Sequence, residues 1–287
     1  MIIFILFVVI VVVVIIYNNF DNFSSLEGRI DEDKDLENKL YNGDKLNGYR
    51  LADIIFYPDY LKFNHQYSTR DHLYRFPGTI GTTYVKRKYP QLNKINKPDD
   101  FEIYKKEYLE FEDLVDRKLY DIKIDTELLN EIIEQKGFEQ PQFTQSTLLL
   151  HVRVGDVLCG DYKNGEAPSN YAKVGDNDWW NKVMDYIIKN KITKIIILSG
   201  THFKECLEES VHYLQFVKKR LEGAGLHVSY HIGNSPDEDL AYSKNAKHFI
   251  TTGGGYGFFL GKIIELNGGN FVLHKQNTSV RADRKLF

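Results

Sequence analysis

Cysteine is nearly missing from this sequence. Two residues, Cys159 and Cys206, in 287 exclude a disulfide scaffold, and no CxxC pair or cysteine–histidine pair at metal-ligand spacing occurs. At most one disulfide can form, and free thiols are the expectation. A basic excess is missing as well. The 37 Lys and Arg against 40 Asp and Glu leave a formal net charge of -3, so there is no electrostatic case for a nucleic-acid partner. Charge is wholly absent from residues 1–16, MIIFILFVVIVVVVII. A cleavable signal peptide normally carries a basic n-region and a small-residue cleavage site, and neither is visible here. Residues 1–17 therefore read as a transmembrane signal anchor, roughly 25 Å of helix. The α-amine is the only positive group before the apolar run, and Asp21 is the first charge after it. This charge order predicts a single-pass type II protein with its amine in the cytoplasm and its body in the ER or Golgi lumen. Sequons at Asn22 and Asn277 agree with that topology.

The remainder, 43% hydrophobic and 27% charged overall, has the composition of a globular protein large enough to bury a real core. Residues 18–45 are polar, with an acidic middle at Asp31, Glu32, Asp33, Asp35 and Glu37. They read as a stem, or from Asp33 to Tyr41 as a solvated helix of the body. Residues 46–145 are mixed and are expected to form a smaller N-terminal α/β domain. A short strand is predicted from Ala52 to Tyr57. A helix capped by Asp99 or Asp100 is expected to carry Phe101, Tyr104, Phe111, Leu114 and Val115 on one stripe. A second helix has Leu128, Leu129, Ile132 and Ile133 on one face and Gly137 past its end.

Residues 146–287 alternate regularly. Thr147–Val154 is an almost continuous apolar run, as in a strand buried on both faces. Further strands are predicted over Lys194–Leu198, Leu226–Ile232, His248–Thr251 and Phe271–His274. The intervening helices centre on Trp179–Ile188, Phe203–Leu221, a short segment from Pro236, and Gly255 to about Leu266. Strands alternating with helices predict a doubly wound, Rossmann-like parallel sheet. In such sheets ligands bind beyond the carboxyl ends of the strands. That rule selects residues 151–156, 199–202, 233–239 and 251–256 for closer reading.

His151, Arg153 and Asp156 lie at i, i+2 and i+5, and i and i+2 of a strand point to one side. Arg153 supplies a permanently charged planar fork suited to a diphosphate, Gly155 permits a sharp turn, and Asp156 can hold the arginine. The alternative is a structural Arg153–Asp156 ion pair with His151 in the core. Thr251, Thr252, Gly253, Gly254, Gly255 and Tyr256 join a strand to a helix, where glycines let backbone N–H groups approach phosphate. Ser199 and Asp239 end or follow neighbouring strands and are candidate nucleotide contacts. Asp176-Asn177-Asp178 has the DxD form of some metal–nucleotide sites, but it directly precedes a helix and reads as a cap.

His151-Val-Arg-Val-Gly-Asp156 resembles the HxRxGD motif of the fucosyltransferase superfamily, which includes α-1,2-, α-1,6- and protein O-fucosyltransferases. Residues 235–240 (SPDEDL) and 246–257 (AKHFITTGGGYG) are similar to that group's acidic segment, strand and small-residue turn. The resemblance covers about 120 residues. It implies a two-domain GT-B glycosyltransferase that transfers fucose with inversion from GDP-fucose to a glycan or protein hydroxyl, with no essential metal. Arg153 would grip the diphosphate, His151 support the donor site and the Thr251–Tyr256 turn hold phosphate. Thr252 and glycines replace serines common in that turn. Asp156 is the candidate general base, with His65 and His72 behind it. The alternatives are a GT-B enzyme with another nucleotide sugar, or a non-catalytic nucleotide- or sugar-binding module of the same fold.

Overall fold

The structure is a computed structural model that describes residues 35–41, 73–74, 76–103, 124–158, 177–201, 204 and 206–272. The predicted anchor, most of the stem, the strand at 52–57, and His65 and His72 lie outside the described residues. Among the described residues, no helix is long and apolar enough to cross a membrane.

Five strands form one all-parallel sheet: β1 (Thr147–His151), β2 (Lys194–Ser199), β3 (His227–Ile232), β4 (His248–Thr251) and β5 (Asn270–Val272). Their spatial order is β3-β2-β1-β4-β5, which is compatible with a Rossmann-like fold. The helices in chain order are α1 (Ile80–Lys88), α2 (Pro98–Ile103), α3 (Thr126–Lys136), α4 (Asn177–Lys189), α5 (Leu207–Gly223), α6 (Pro236–Ser243) and α7 (Gly255–Leu266). Chain progression runs outward from β1 to β2 and β3, then returns to β4 on the other side of β1. The order therefore reverses between β1 and β4.

Strict alternation within the strands fills two cores. Leu149, Ile196, Leu198 and Phe249 face one way and pack with residues of α1, α3, α6 and α7. Leu148, Leu150, Ile195, Ile197 and Ile250 face the other way and pack with α4 and α5. A strand covered on both faces gains nothing from polar alternation, which is why β1 and β2 read as unbroken apolar runs.

The helix ends follow local chemistry. Asp125 caps α3 by accepting the Leu128 N–H, and Gly137 closes it in a left-handed conformation at φ 68°. Ser235 and Glu238 form a reciprocal capping box at α6. Asp100 differs from expectation: it lies inside α2, and its carboxylate reaches back to the backbone of Asn96 and Lys97. The remaining residues of that predicted helix, 104–123, fall outside the described ones.

The sequence places Trp179, Trp180, Val183, Met184, Ile187 and Ile188 on one stripe of α4; Trp180 and Met184 pack partly buried against the core, and Ile188 departs from it. Trp179, Val183 and Ile187 are buried, whereas Ile188 is 71% exposed. Positions at i, i+4 and i+8 share a face, and each i+1 neighbour lies about 100° round the helix. Residues 35–40 of the stem segment are helical, and Leu36 and Leu40 enter the α4–α5 core. Thr201 N–H donates to Leu40 O, and Tyr41 pairs with Thr201 just past β2. Cys206, expected as a free thiol, is disulfide-bonded and buried. Cys159, the other cysteine of the chain, is outside the described residues.

Candidate functional site

The sequence-selected residues converge where the strand order reverses. His151, at the last rung of β1, is in register with Thr251 at the end of β4. The two chains stay stitched beyond the ladder. Thr252 N–H donates to His151 O at 2.9 Å, and Arg153 N–H donates to Thr252 Oγ1 at 2.9 Å. The glycines then turn the chain into α7 with φ of 137° at Gly253 and 87° at Gly254, a region costly to any residue with a Cβ. Gly254 faces Arg153 directly, because a Cβ there would lie 3.0 Å from both Cδ and Nη1 of the arginine. The guanidinium thus lies against the turn that opens α7. Here helical N–H groups lack intrahelical partners and the helix dipole favours negative charge.

Arg153 also pairs with Asp156, its Nη2 lying 3.2 and 3.1 Å from the two carboxylate oxygens. Asp156 is exposed, and Arg153 is partly so. Gly155 takes φ 79°, bending the chain into the short 3-10 turn that carries Asp156. The expected pair is therefore present, partly exposed beyond the carboxyl end of β1 rather than within the core.

His151 and Arg153 do share a side, but they do not share an environment. His151 is buried, and its Nδ1 is 2.9 Å from Thr251 Oγ1. Burial, aided by the charge of Arg153, lowers its pKa to about 4, so the ring is neutral near pH 7. Thr251 Oγ1 in turn accepts the Gly253 N–H at 3.1 Å. His151 therefore props the glycine turn from behind. Gly257 makes this possible: a Cβ at that position would fall 2.3 Å from Thr251 Oγ1 and 2.5 Å from His151 Nδ1. Tyr256 donates its hydroxyl to Pro236 O at 2.7 Å, joining α7 to the start of α6. Ser199 is also turned inward, donating to Val152 O at 2.7 Å.

Asp239 is buried on α6 with Oδ1 3.4 Å from His231 Nε2, and His231 stacks on Tyr242 at 3.5 Å. Burial raises the Asp239 pKa against the pull of His231. Its neighbour Asp237 accepts the Ile80 N–H at 2.9 Å, tying α6 to the start of α1. Burial pushes the Asp237 pKa up to about 6. In the sequence Asp237 stands only within the acidic segment SPDEDL, and His231 was not singled out. A signal existed: His231 shares a cross-sheet row with Leu198 and His151, whereas the search beyond β3 began at Gly233.

Asn177 and Asp178 form the first residues of α4, and Asp176 is outside the described residues. Among the described residues, no group of three or more His, Cys, Asp or Glu is arranged to hold a metal ion. Comparison with family models, curated proteins and solved structures finds no match to this chain.

Proposed function

We propose that this chain is a membrane-anchored glycosyltransferase of the GT-B class that transfers fucose with inversion from GDP-fucose to a glycan or protein hydroxyl. One observation carries the reading. Arg153 of the HxRxGD-like segment lies against Gly254 of the small-residue turn, at the reversal point between β1 and β4. Two segments about a hundred residues apart, each selected for its own chemistry, thereby form one cationic, amide-rich corner suited to a diphosphate.

In the proposed reaction the acceptor oxygen bonds to the anomeric carbon of the sugar as the bond from that carbon to the diphosphate breaks. The electron pair leaves with the diphosphate. The Arg153 fork and the amides opening α7 stabilise that growing negative charge. Asp156, solvent-exposed beside Arg153, is the candidate to take the acceptor proton. His151, neutral and buried, holds the turn rather than the ligand. Asp239 is the candidate for the nucleotide's far end. The resemblance implies no essential metal. The disulfide on Cys206 supports a body in an oxidising lumen, in keeping with an anchor at residues 1–17.

The test is GDP affinity by calorimetry, with melting temperature, for full-length wild type, Arg153→Lys and Arg153→Ala. A charge-assisted hydrogen bond to phosphate contributes about 1.5–3 kcal/mol, so Arg153→Ala should weaken GDP binding roughly 10- to 150-fold. Arg153→Lys keeps the charge without the fork and should recover little. Normal GDP binding by an Arg153→Ala protein that melts far lower would make Arg153 a structural ion-pair residue. Turnover across GDP- and UDP-sugars then identifies the donor.

A further inference from the structure

Ser210 lies on α5, 55 residues from Gly155, and is fully buried. Its Oγ accepts the Gly155 N–H at 3.0 Å and donates to Cys206 O at 2.5 Å. A serine hydroxyl bonding back to the carbonyl four residues earlier is an ordinary helical habit. The second bond is not ordinary, because it reaches out of α5 to the one residue of the His151–Asp156 segment with a positive φ, 79° at Gly155. Gly155 is the hinge of that segment. Its conformation sets the direction of the 3-10 turn, and the turn aims the Asp156 carboxylate at the Arg153 guanidinium. The N–H of the hinge is thus fixed by a hydroxyl that is itself oriented by the first turn of a 17-residue helix.

We infer that Ser210 is a positioning residue: it fixes the Gly155 hinge and, through it, holds Arg153 and Asp156 in register with the glycine turn that opens α7. The inference rests on the reading of Arg153 as the diphosphate contact. Ser210 touches no ligand. It acts by limiting how far the arginine fork can wander before a diphosphate arrives, and that limit is a gain in preorganisation. A buried serine that merely stabilised α5 would change the melting temperature and leave ligand affinity alone.

The experiment uses the full-length chain and GDP as the probe. GDP affinity and melting temperature are measured for wild type, Ser210→Ala, Ser210→Thr, Ser210→Val, Arg153→Ala and the Arg153→Ala/Ser210→Ala double variant. Threonine and valine are nearly isosteric and differ in the hydroxyl, so this pair repeats the serine–alanine comparison with the added methyl cancelled. Loss of the hydroxyl should weaken GDP binding about fivefold to tenfold, the equivalent of one neutral hydrogen bond, in both pairs. In the Arg153→Ala background the same loss should have no further effect, because the residue being positioned is gone. Equal GDP affinity within both pairs, at whatever melting temperature, overturns the inference, as does an undiminished Ser210 effect without Arg153. If Arg153→Ala itself binds GDP as wild type does, the diphosphate reading has failed instead, and the two failures are told apart by that single variant.

Discussion

Replacing Gly257 with alanine ought to help a helix. Alanine is favoured over glycine inside a helix by about 1 kcal/mol, and Gly257 is the third residue of α7. The surroundings reverse the sign. The new Cβ would sit 2.3 Å from Thr251 Oγ1, 2.5 Å from His151 Nδ1 and 2.9 Å from His151 Cε1. Thr251 and His151 are both buried at the edge of the sheet, so neither has room to retreat. Relief requires α7 to lift from β1 and β4, or His151 and Thr251 to part. Overpacking of this kind costs about 1–3 kcal/mol, and losing the His151–Thr251 hydrogen bond adds roughly 0.5–1.5 kcal/mol. Net of the helical gain, Gly257→Ala should destabilise by about 1–3 kcal/mol. At about 2–4 °C per kcal/mol for a domain of this size, that is roughly 2–12 °C in melting temperature. Gly223→Ala at the end of α5 is the matched control, because its Cβ would meet nothing within 4 Å. It should leave the melting temperature unchanged or slightly raised. Thermal melts by circular dichroism compare the two directly, and GDP calorimetry on Gly257→Ala should show weaker binding as the turn shifts. A Gly257→Ala protein that melts at or above wild type would refute the close seating of α7 on His151.

Leu40→Ala should cost about 2–5 kcal/mol of stability, since Leu40 is fully buried in the α4–α5 core; an unchanged denaturation midpoint would show that residues 35–40 do not pack as described. Acid titration should reveal two opposed buried groups. His151, lowered to about 4, binds fewer protons folded than unfolded, so its contribution is lost as pH falls from about 6.5 toward 4. Asp237, raised to about 6, binds more protons folded, so its contribution is present at low pH and lost as pH rises through 6. Asp237→Asn removes the second effect, and its melting temperature should fall more steeply than wild type between pH 6.5 and 4; parallel profiles would contradict the assignment. The full-length protein should resist carbonate extraction, and its body should be protected from protease in sealed microsomes. Release to the soluble fraction with the first residues missing would identify a cleaved signal peptide.

The sheet was legible because its inner strands are covered on both faces, and this demand writes continuous apolar runs into the sequence. β1 was read as reaching Val154, but its ladder ends at His151. Val152 and Val154 are still buried and Val152 N–H still reaches Leu198 O, so the apolar trace of a strand runs on past the ladder. The meeting of Arg153 with the Gly253–Gly254 turn followed from topology alone, since parallel strands deliver all their carboxyl ends to one edge. Side-chain direction did not follow. Ser199 and Tyr256 sit at that edge in sequence yet turn inward to Val152 O and Pro236 O. A helix over Asp33 to Tyr41 was legible as the alternative to a stem, but its docking was not: two leucines four apart, in an acidic stretch, are too short a pattern to separate a packed helix from a solvated one. Ser210 carried no signal at all: a serine inside a helix looks the same whether its hydroxyl stays local or crosses to another element.

The docking of that short helix has a geometric consequence. Lys39 O presses on Gly233, where a Cβ would fall only 1.6 Å away, and Leu40 O receives Thr201. Both contacts lie past the carboxyl ends of β3 and β2, on the same rim of the sheet as Arg153. Six helical residues span about 9 Å, so residue 35 lies within that distance of the rim. If residues 1–17 span a bilayer as proposed, the 17 residues from 18 to 34 could place residue 35 no further than about 60 Å from it, at ~3.3–3.6 Å per residue. The chain thus enters the body on the rim that carries Arg153 rather than on the opposite one. Any tether upstream of residue 35 would therefore hold the body by the rim that carries Arg153.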